Sequence, residues 1–83
     1  MAKAARKTFF ELDGDVMRAG WGGRVAAIAF HIEESAEGEV LVVETDAVEC
    51  WEGGEEIALE DLNRLFVLIE RECEARGVES EFE

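Results

Sequence analysis

The side chains that could carry catalysis are few and follow no known catalytic spacing. They are His31, cysteines at positions 50 and 73, two serines and two threonines, and the chain has no tyrosine. An activated nucleophile needs a base within hydrogen-bonding reach and a third group that orients the base. Ser35 lacks the GxSxG context of a nucleophile elbow, and the spacing of His31 and Cys50 predicts no dyad. We therefore expect that the protein is not an enzyme. For His31 a structural or surface role at a strand end is favoured over a role as ligand or base.

Side chains that bind metals and cofactors are equally scattered. Cys50 and Cys73 lie 23 positions apart without a CxxC motif, and each is more typical of a small buried hydrophobic residue than of a zinc ligand. The "DGD" at 13–15 lacks the further oxygen ligands of an EF-hand. The glycines at 20–23 and 53–54 lack the strand–GxxxxGK–helix context of a phosphate loop. We expect no metal, no cofactor and, in a cytosolic setting, no stable disulfide.

The charge of the chain is its most informative property. The 83 residues include 21 acidic and 8 basic ones, a formal net charge of −13. From Thr8 onward five arginines face all 21 acids, which gives −16 without a single lysine. Nucleic acids and anionic membranes both require a basic footprint, so direct binding of either by the folded part is disfavoured. The excess acid favours a basic protein partner. The alternative is that the acidity is compositional and reflects the host.

No apolar run approaches the length of about 20 residues that crosses a membrane. The basic start "MAKAARK" is followed by no apolar stretch of the signal-peptide kind, so we expect a cytoplasmic protein. Residues 1–7 are predicted to form a disordered basic tail, and residues 8–83 a single domain.

Turn signals and hydrophobic periodicity predict an α+β fold with one antiparallel-rich sheet of about five to six strands. Residues 8–12 and 16–19 are predicted to pair around the Asp-Gly turn, and "GWGG" at 20–23 then breaks the pattern. The runs at 24–33 and 40–45 are predicted to be central strands, because both faces of each are apolar. The second run could extend through "DAVECW", and "VESEF" at 78–82 is expected to close the sheet.

One helix is predicted between these strands, within residues 55–77. Its apolar residues recur at helical spacing, and Gly77 is placed to end it; they are Leu62, Leu65, Phe66, Ile69 and Cys73. The small residues Val25, Ala27 and Ala29 are expected to face this helix. Ile28, Phe30 and Ile32 would then be left for the N-terminal hairpin, for sheet curvature or for another molecule to cover. A homodimer or a partner-binding face is therefore a serious alternative.

The stretch "DAVECWEGGEE" at 46–56 combines a tryptophan with glycines and carboxylates. Trp51 is interpreted either as an aromatic that closes the core against the helix or as an exposed anchor for a protein partner. The same alternatives hold for Trp21. The contact surface that we expect for a basic partner consists of Trp51, Trp21, Glu49, Glu52, Glu55 and Glu56.

Residues 40–83 resemble small bacterial immunity proteins of polymorphic toxin systems. Members of that family follow a pattern of strand, "DSI..W", "G..IS.EE", helix and "RG..VEFE". The positions of this chain that match the pattern are Asp46, Val48, Trp51, Gly54, Ile57, Glu60, Gly77 and Phe82. The resemblance implies a protein that neutralises a toxin by occluding its site, and a nuclease toxin would present a basic cleft.

Two functions therefore remain as the main expectations, and a small metal or catalytic module is the least favoured third. The first is an acidic protein-binding domain, of the immunity or inhibitor kind, that occludes a basic partner such as a toxin. The alternative is a homodimeric structural or adaptor domain.

Overall fold

The computed structural model describes residues 7–83, so the predicted disordered tail lies, apart from Lys7, outside the described residues. Five strands and one long helix make up the domain. In chain order they are β1 Thr8–Asp13, β2 Val16–Trp21, β3 Arg24–Ser35, β4 Gly38–Val43, a 3₁₀ turn at Thr45–Ala47, α1 Leu59–Ala75 and β5 Glu79–Phe82. The predicted α+β class, with one C-terminal-half helix and a mostly antiparallel sheet, is confirmed.

The strands lie side by side in the order of the sequence, β1-β2-β3-β4-β5. The first four form an antiparallel meander, and β5 returns through α1 to pair parallel to β4. The first hairpin turns through Gly14 and Asp15, since Asp13 pairs with Val16. Gly14 has a φ of +66°, and the φ of Asp15 is negative. A type II′ turn requires a positive φ at its first central residue only, so this hairpin has a turn of that type.

Two predicted boundaries were wrong. β2 does not end at Ala19, because the double glycine at 22–23 adopts positive φ at both positions and makes a second tight hairpin. A primed turn of this kind continues the twist of its strands, so Trp21 stays inside β2. The strand at 38–43 does not run on through "DAVECW", because the chain bends into the 3₁₀ turn at Thr45.

Helix α1 packs against the sheet face that carries the larger side chains of β3. Ala26, Ile28 and Phe30 are at most 6% exposed, and they share one core with Leu65 and Ile69. The expectation that the helix covers Val25, Ala27 and Ala29 was therefore wrong. A helix gains more from burying isoleucine and phenylalanine than from approaching alanines, because the gain scales with apolar area.

The C-terminal end of α1 is closed by a Schellman motif. Gly77, at a φ of +74°, donates its N–H to the Glu74 carbonyl at 3.0 Å, and Val78 donates to the Cys73 carbonyl at 2.9 Å. These bonds satisfy the last free carbonyls and turn the chain into β5. The N-terminal end begins after Ala58, which offers no side-chain cap.

Candidate functional site

The acidic loop, residues 48–57, is held by three buried apolar anchors. Val48, Trp51 and Ile57 are each less than 8% exposed. Between them the backbone closes on itself: Trp51 donates to the Glu55 carbonyl at 2.8 Å, and Ile57 donates to the Glu49 carbonyl at 3.1 Å. The loop is therefore a fixed structural feature, and its four glutamates at 49, 52, 55 and 56 are all exposed.

Both tryptophans lie in the core. Trp51 is 2% and Trp21 8% exposed, and their rings meet edge to face with centroids 5.4 Å apart. The guanidinium of Arg24 lies 4.9 Å from the Trp51 ring centroid. The indole N–H of Trp51 is buried and has no acceptor among the described residues. The structure thus places Trp51 and Trp21 beneath the loop, so they support the acidic surface and are not exposed parts of it.

Two of the loop acids are held by arginines of the β2–β3 hairpin. Glu52 accepts hydrogen bonds from Arg18 at 2.8 and 2.9 Å, and this partner lowers the pKa of the Glu52 carboxyl. Glu55 lies 3.6 Å from Arg24. Within residues 7–83, Glu49 and Glu56 have no cation at ion-pair distance. The four acids therefore share one loop, but only two of them have fully uncompensated charge.

Glu52 also borders the sheet face that α1 leaves uncovered, and its N–H bonds to the Val25 carbonyl at 2.7 Å. We call this surface the open face. Its centre consists of small apolar side chains, of which Val42 is fully buried and the others are exposed or half-buried: Val16, Val25, Ala27, Ala29 and Val40.

The rim of the open face is acidic. The strand register places these exposed carboxylates on the same side of the sheet as the apolar centre: Glu11, Asp13, Glu33, Glu79 and Glu81. Arg18 also lies on this side, where it is matched by Glu52 and, at 3.5 Å, by Glu11. The open face thus combines an apolar centre with a negative border.

His31 lies on the open face opposite Val42, between two glutamates. Its Nε2 is 2.9 Å from the Glu33 carboxylate, and its Nδ1 is 3.6 Å from that of Glu44. The hydrogen bond to Glu33, with a smaller contribution from Glu44, raises the pKa of the imidazole. His31 is therefore a surface histidine that carries its positive charge to higher pH than usual.

The two cysteines have different surroundings. Cys73 is buried in the core, and burial raises the pKa of its thiol, which keeps it protonated and unreactive. Cys50 is exposed, so the expectation that it is a buried hydrophobic residue was wrong. The alternation of the loop explains this: Trp51 points into the core, and its neighbour Cys50 points out.

The part of the chain that the structure describes contains no group of three or more potential metal ligands. Nor does any of its helices have the length and apolar character that crossing a membrane requires.

Comparisons with models of protein families, with curated proteins and with solved structures find no match to this chain. The functional argument therefore rests on the open face and the acidic loop. Sequence reasoning identified the loop acids and expected one apolar face to be left for another molecule, but it assigned Ile28, Phe30 and Ile32 to that face and so misplaced the open face. Its signal was present in the small residues that alternate along β3, which had been assigned to the helix contact.

Proposed function

We propose that the chain is an acidic protein-binding domain that docks its open face on a basic protein and occludes it, as an inhibitor or immunity protein does. The observation that carries the proposal is that, within residues 7–83, α1 covers one face of the sheet only, while the other face combines small apolar side chains with an acidic rim. Protein interfaces combine an apolar, desolvated centre with a polar border in the same way.

The electrostatics support a basic partner. The residues from Thr8 onward carry −16, and on the open face Arg18 is already neutralised within the chain. Such a surface attracts a positive cleft over long range and speeds association, and added salt weakens this attraction. The resemblance of residues 40–83 to immunity proteins points the same way, with a toxin as the partner.

The proposal assigns separate roles to the two parts of the site. The small side chains at the centre of the open face allow close approach of a partner, because Ala27 and Ala29 leave the sheet flat and shallow. The rim acids Glu33 and Glu79 flank Val40 in one row across the strands. They would pair with lysines or arginines of the partner as the apolar centre is buried.

The test is a capture experiment with tagged protein in a lysate of its own host, at about 0.1 M and about 0.5 M salt, where screening lengths differ severalfold. We expect one basic protein to be retained at the lower salt and lost at the higher. The double variant Glu33→Lys with Glu79→Lys should lose this protein.

The matched control reverses the same number of charges on the outer surface of α1, with Glu70→Lys and Glu74→Lys, and should retain the partner. Capture of no basic protein contradicts the proposal. Equal loss of the partner in both double variants would assign binding to net charge and not to the open face.

A further inference from the structure

Strand β1 presents an unprotected edge of the sheet. Among residues 7–83 it pairs only with β2, and its side chains Phe9 and Leu12 are 40% and 44% exposed. The opposite edge, β5, is only four residues long and exposes glutamates at 79 and 81, which is how natural sheets block further pairing. β1 is longer, with six residues, and contains no proline or lysine; of its two exposed acids, Glu11 and Asp13, the first is paired with Arg18 at 3.5 Å.

The hairpin turn determines which backbone groups of β1 are free. In a two-residue hairpin the flanking pair, here Asp13 and Val16, exchanges hydrogen bonds, and bonded residues then alternate along the strand. The same alternation places the observed bond from Phe30 N–H to the Asp15 carbonyl at 3.2 Å on the other side of β2. The N–H and C=O groups that point away from the sheet are consequently those of Thr8, Phe10 and Leu12.

A second copy of β1 fits this edge in an antiparallel register centred on Phe10. Free backbone groups then meet free backbone groups, with Thr8 opposite Leu12 and Phe10 opposite Phe10. The same register puts Lys7 opposite Asp13, a favourable charge pair that occurs twice in a symmetric dimer. A shift that centres the pairing on Glu11 sets two glutamates against each other. A shift to Phe9 sets Lys7 opposite Glu11, but it loses the pairing of Phe10 with Phe10 and places Leu12 and Asp13 opposite residues 6 and 5, which lie outside the described residues.

The surface next to Thr8 is suited to the side chain that this register brings there. A groove of about 530 Å³ runs between β1 and α1 and is lined by Thr8, Trp21, Val67 and Leu68, with Asn63, Arg64 and Arg71 beside them. Val67 is 48% exposed. Leu12 of the second copy, opposite Thr8 and on the helix side of the sheet, would lie at this groove.

The charges at the groove match the tip of the hairpin that would approach it. Arg18, Arg24 and Arg76 each have an acid within 4 Å, whereas within the described residues Arg64 and Arg71 have none. The tip of the second hairpin carries Asp13 and Asp15 and would come to the side on which Lys7 and Arg64 lie. Lys7, Arg64 and Arg71 thus supply positive charge at this end of a strongly acidic chain.

We propose that the chain self-associates through β1 into a symmetric dimer with one continuous ten-stranded sheet. The proposal is independent of the basic partner, because it uses the edge of the sheet and not the open face. The two also respond oppositely to salt. Two copies of net charge −13 repel each other, so salt strengthens the dimer, whereas salt weakens binding of a basic protein.

The test is sedimentation equilibrium of the full chain at about 0.1 M and about 0.5 M salt. We expect a species of twice the 9.2 kDa chain mass, with a dissociation constant on the order of micromolar, since such an edge is at the small end of specific interfaces. The dissociation constant should fall at the higher salt.

Three variants test the register. Leu12→Pro removes an N–H that points away from β2, so it should leave a folded monomer by circular dichroism while dimerisation weakens by about a hundredfold or more. Lys7→Glu should raise the dissociation constant by about tenfold through like-charge pairs, and adding Asp13→Lys should restore it. Lys3→Glu makes the same change in net charge as Lys7→Glu and should leave the dimer within about twofold of the original.

The proposal is overturned if the chain stays monomeric up to about 100 μM at the higher salt. It is also overturned if the dimer persists in Leu12→Pro, or if Asp13→Lys fails to rescue Lys7→Glu.

Discussion

The two faces of the sheet are built from the same strands but differ in burial, in side-chain size and in charge. Along β3, Ala26 and Ile28 are fully buried, while Ala27 between them is exposed. Nothing in the backbone distinguishes these neighbours, because successive side chains of a strand simply point to opposite sides. The helix α1 therefore covers the face with the larger apolar side chains, and within residues 7–83 it leaves the other face uncovered.

The distribution of charge follows the same division. No charged or polar residue is buried in the described part of the chain, so the core under α1 carries no ionic cost. Most carboxylates lie on the open face, on the acidic loop and on α1, and none of them is buried in the described part of the chain. A net charge this far from zero destabilises a compact state by self-repulsion, and the apolar core must offset that cost.

The largest expected difference between buried and exposed positions is found at two consecutive loop residues, the buried Trp51 and the exposed Glu52. Trp51→Ala removes a core aromatic and should cost about 3–5 kcal/mol of unfolding free energy. A chain of this size has only about 4–12 kcal/mol in total, so the variant should be largely unfolded or close to it. Glu52→Gln breaks an exposed ion pair that water screens, so its effect on the free energy of unfolding should be far smaller than that of Trp51→Ala.

Urea denaturation followed by tryptophan fluorescence for Glu52→Gln, and by circular dichroism for Trp51→Ala, measures both costs. If the free energy of unfolding of Trp51→Ala is unchanged, the Trp51 ring does not pack in the core, and its assignment as a buried support of the loop is wrong.

The order of the strands and the position of the helix were predictable because they depend on local signals. The Asp-Gly turn at 13–14 marks the first hairpin, and the spacing from Leu62 to Cys73 marks the helix, whereas the glycines at 22 and 23 were read only as a break in the pattern. The face that α1 covers was not predictable by the same reasoning, since alternation is symmetric and both faces of β3 are apolar. Volume would have decided it: Ile28 and Phe30 fill more space than Ala27 and Ala29.

The site was only partly predictable for a related reason. The loop glutamates could be named from composition, because charged residues in a glycine-rich turn are exposed in most proteins. Whether Trp51 lies under or on that turn depends on its contact with Trp21, which is 30 residues away in sequence. No local pattern reports a contact of that range.

Two substitutions on the open face, at Gly20 and at Ala27, should differ in their effect on stability. Gly20 lies opposite Val25, and a Cβ atom built there would lie 1.9 Å from the Arg24 carbonyl oxygen. Gly20→Ala should therefore force a backbone shift that costs about 1–3 kcal/mol. Ala27→Val, on the same face, adds volume toward solvent and should change stability by no more than about 0.5 kcal/mol.

Thermal unfolding of the two variants side by side provides the measurement. Equal tolerance of both would mean that the β2–β3 hairpin is free to open, whereas an intolerant Ala27→Val would mean that another part of the chain already covers the open face.

The smallest expected effect concerns His31, the single histidine of the chain, which lies on the open face. Its pKa is raised from the ordinary value of 6.5 by Glu33 and Glu44, so its protonated form is favoured by folding. The resulting stabilisation is fully present below pH 6.5 and is lost as pH rises through the folded-state pKa.

Because the side chain is exposed, the effect on stability is small, and NMR titration of the imidazole is the sensitive measurement. We expect a pKa above the ordinary value, lowered more by Glu33→Gln than by Glu44→Gln, since the hydrogen bond to Glu33 is the larger cause. An imidazole that titrates at its ordinary value would show that the two glutamates are turned to solvent, and the rim of the open face would then be fully negative across neutral pH.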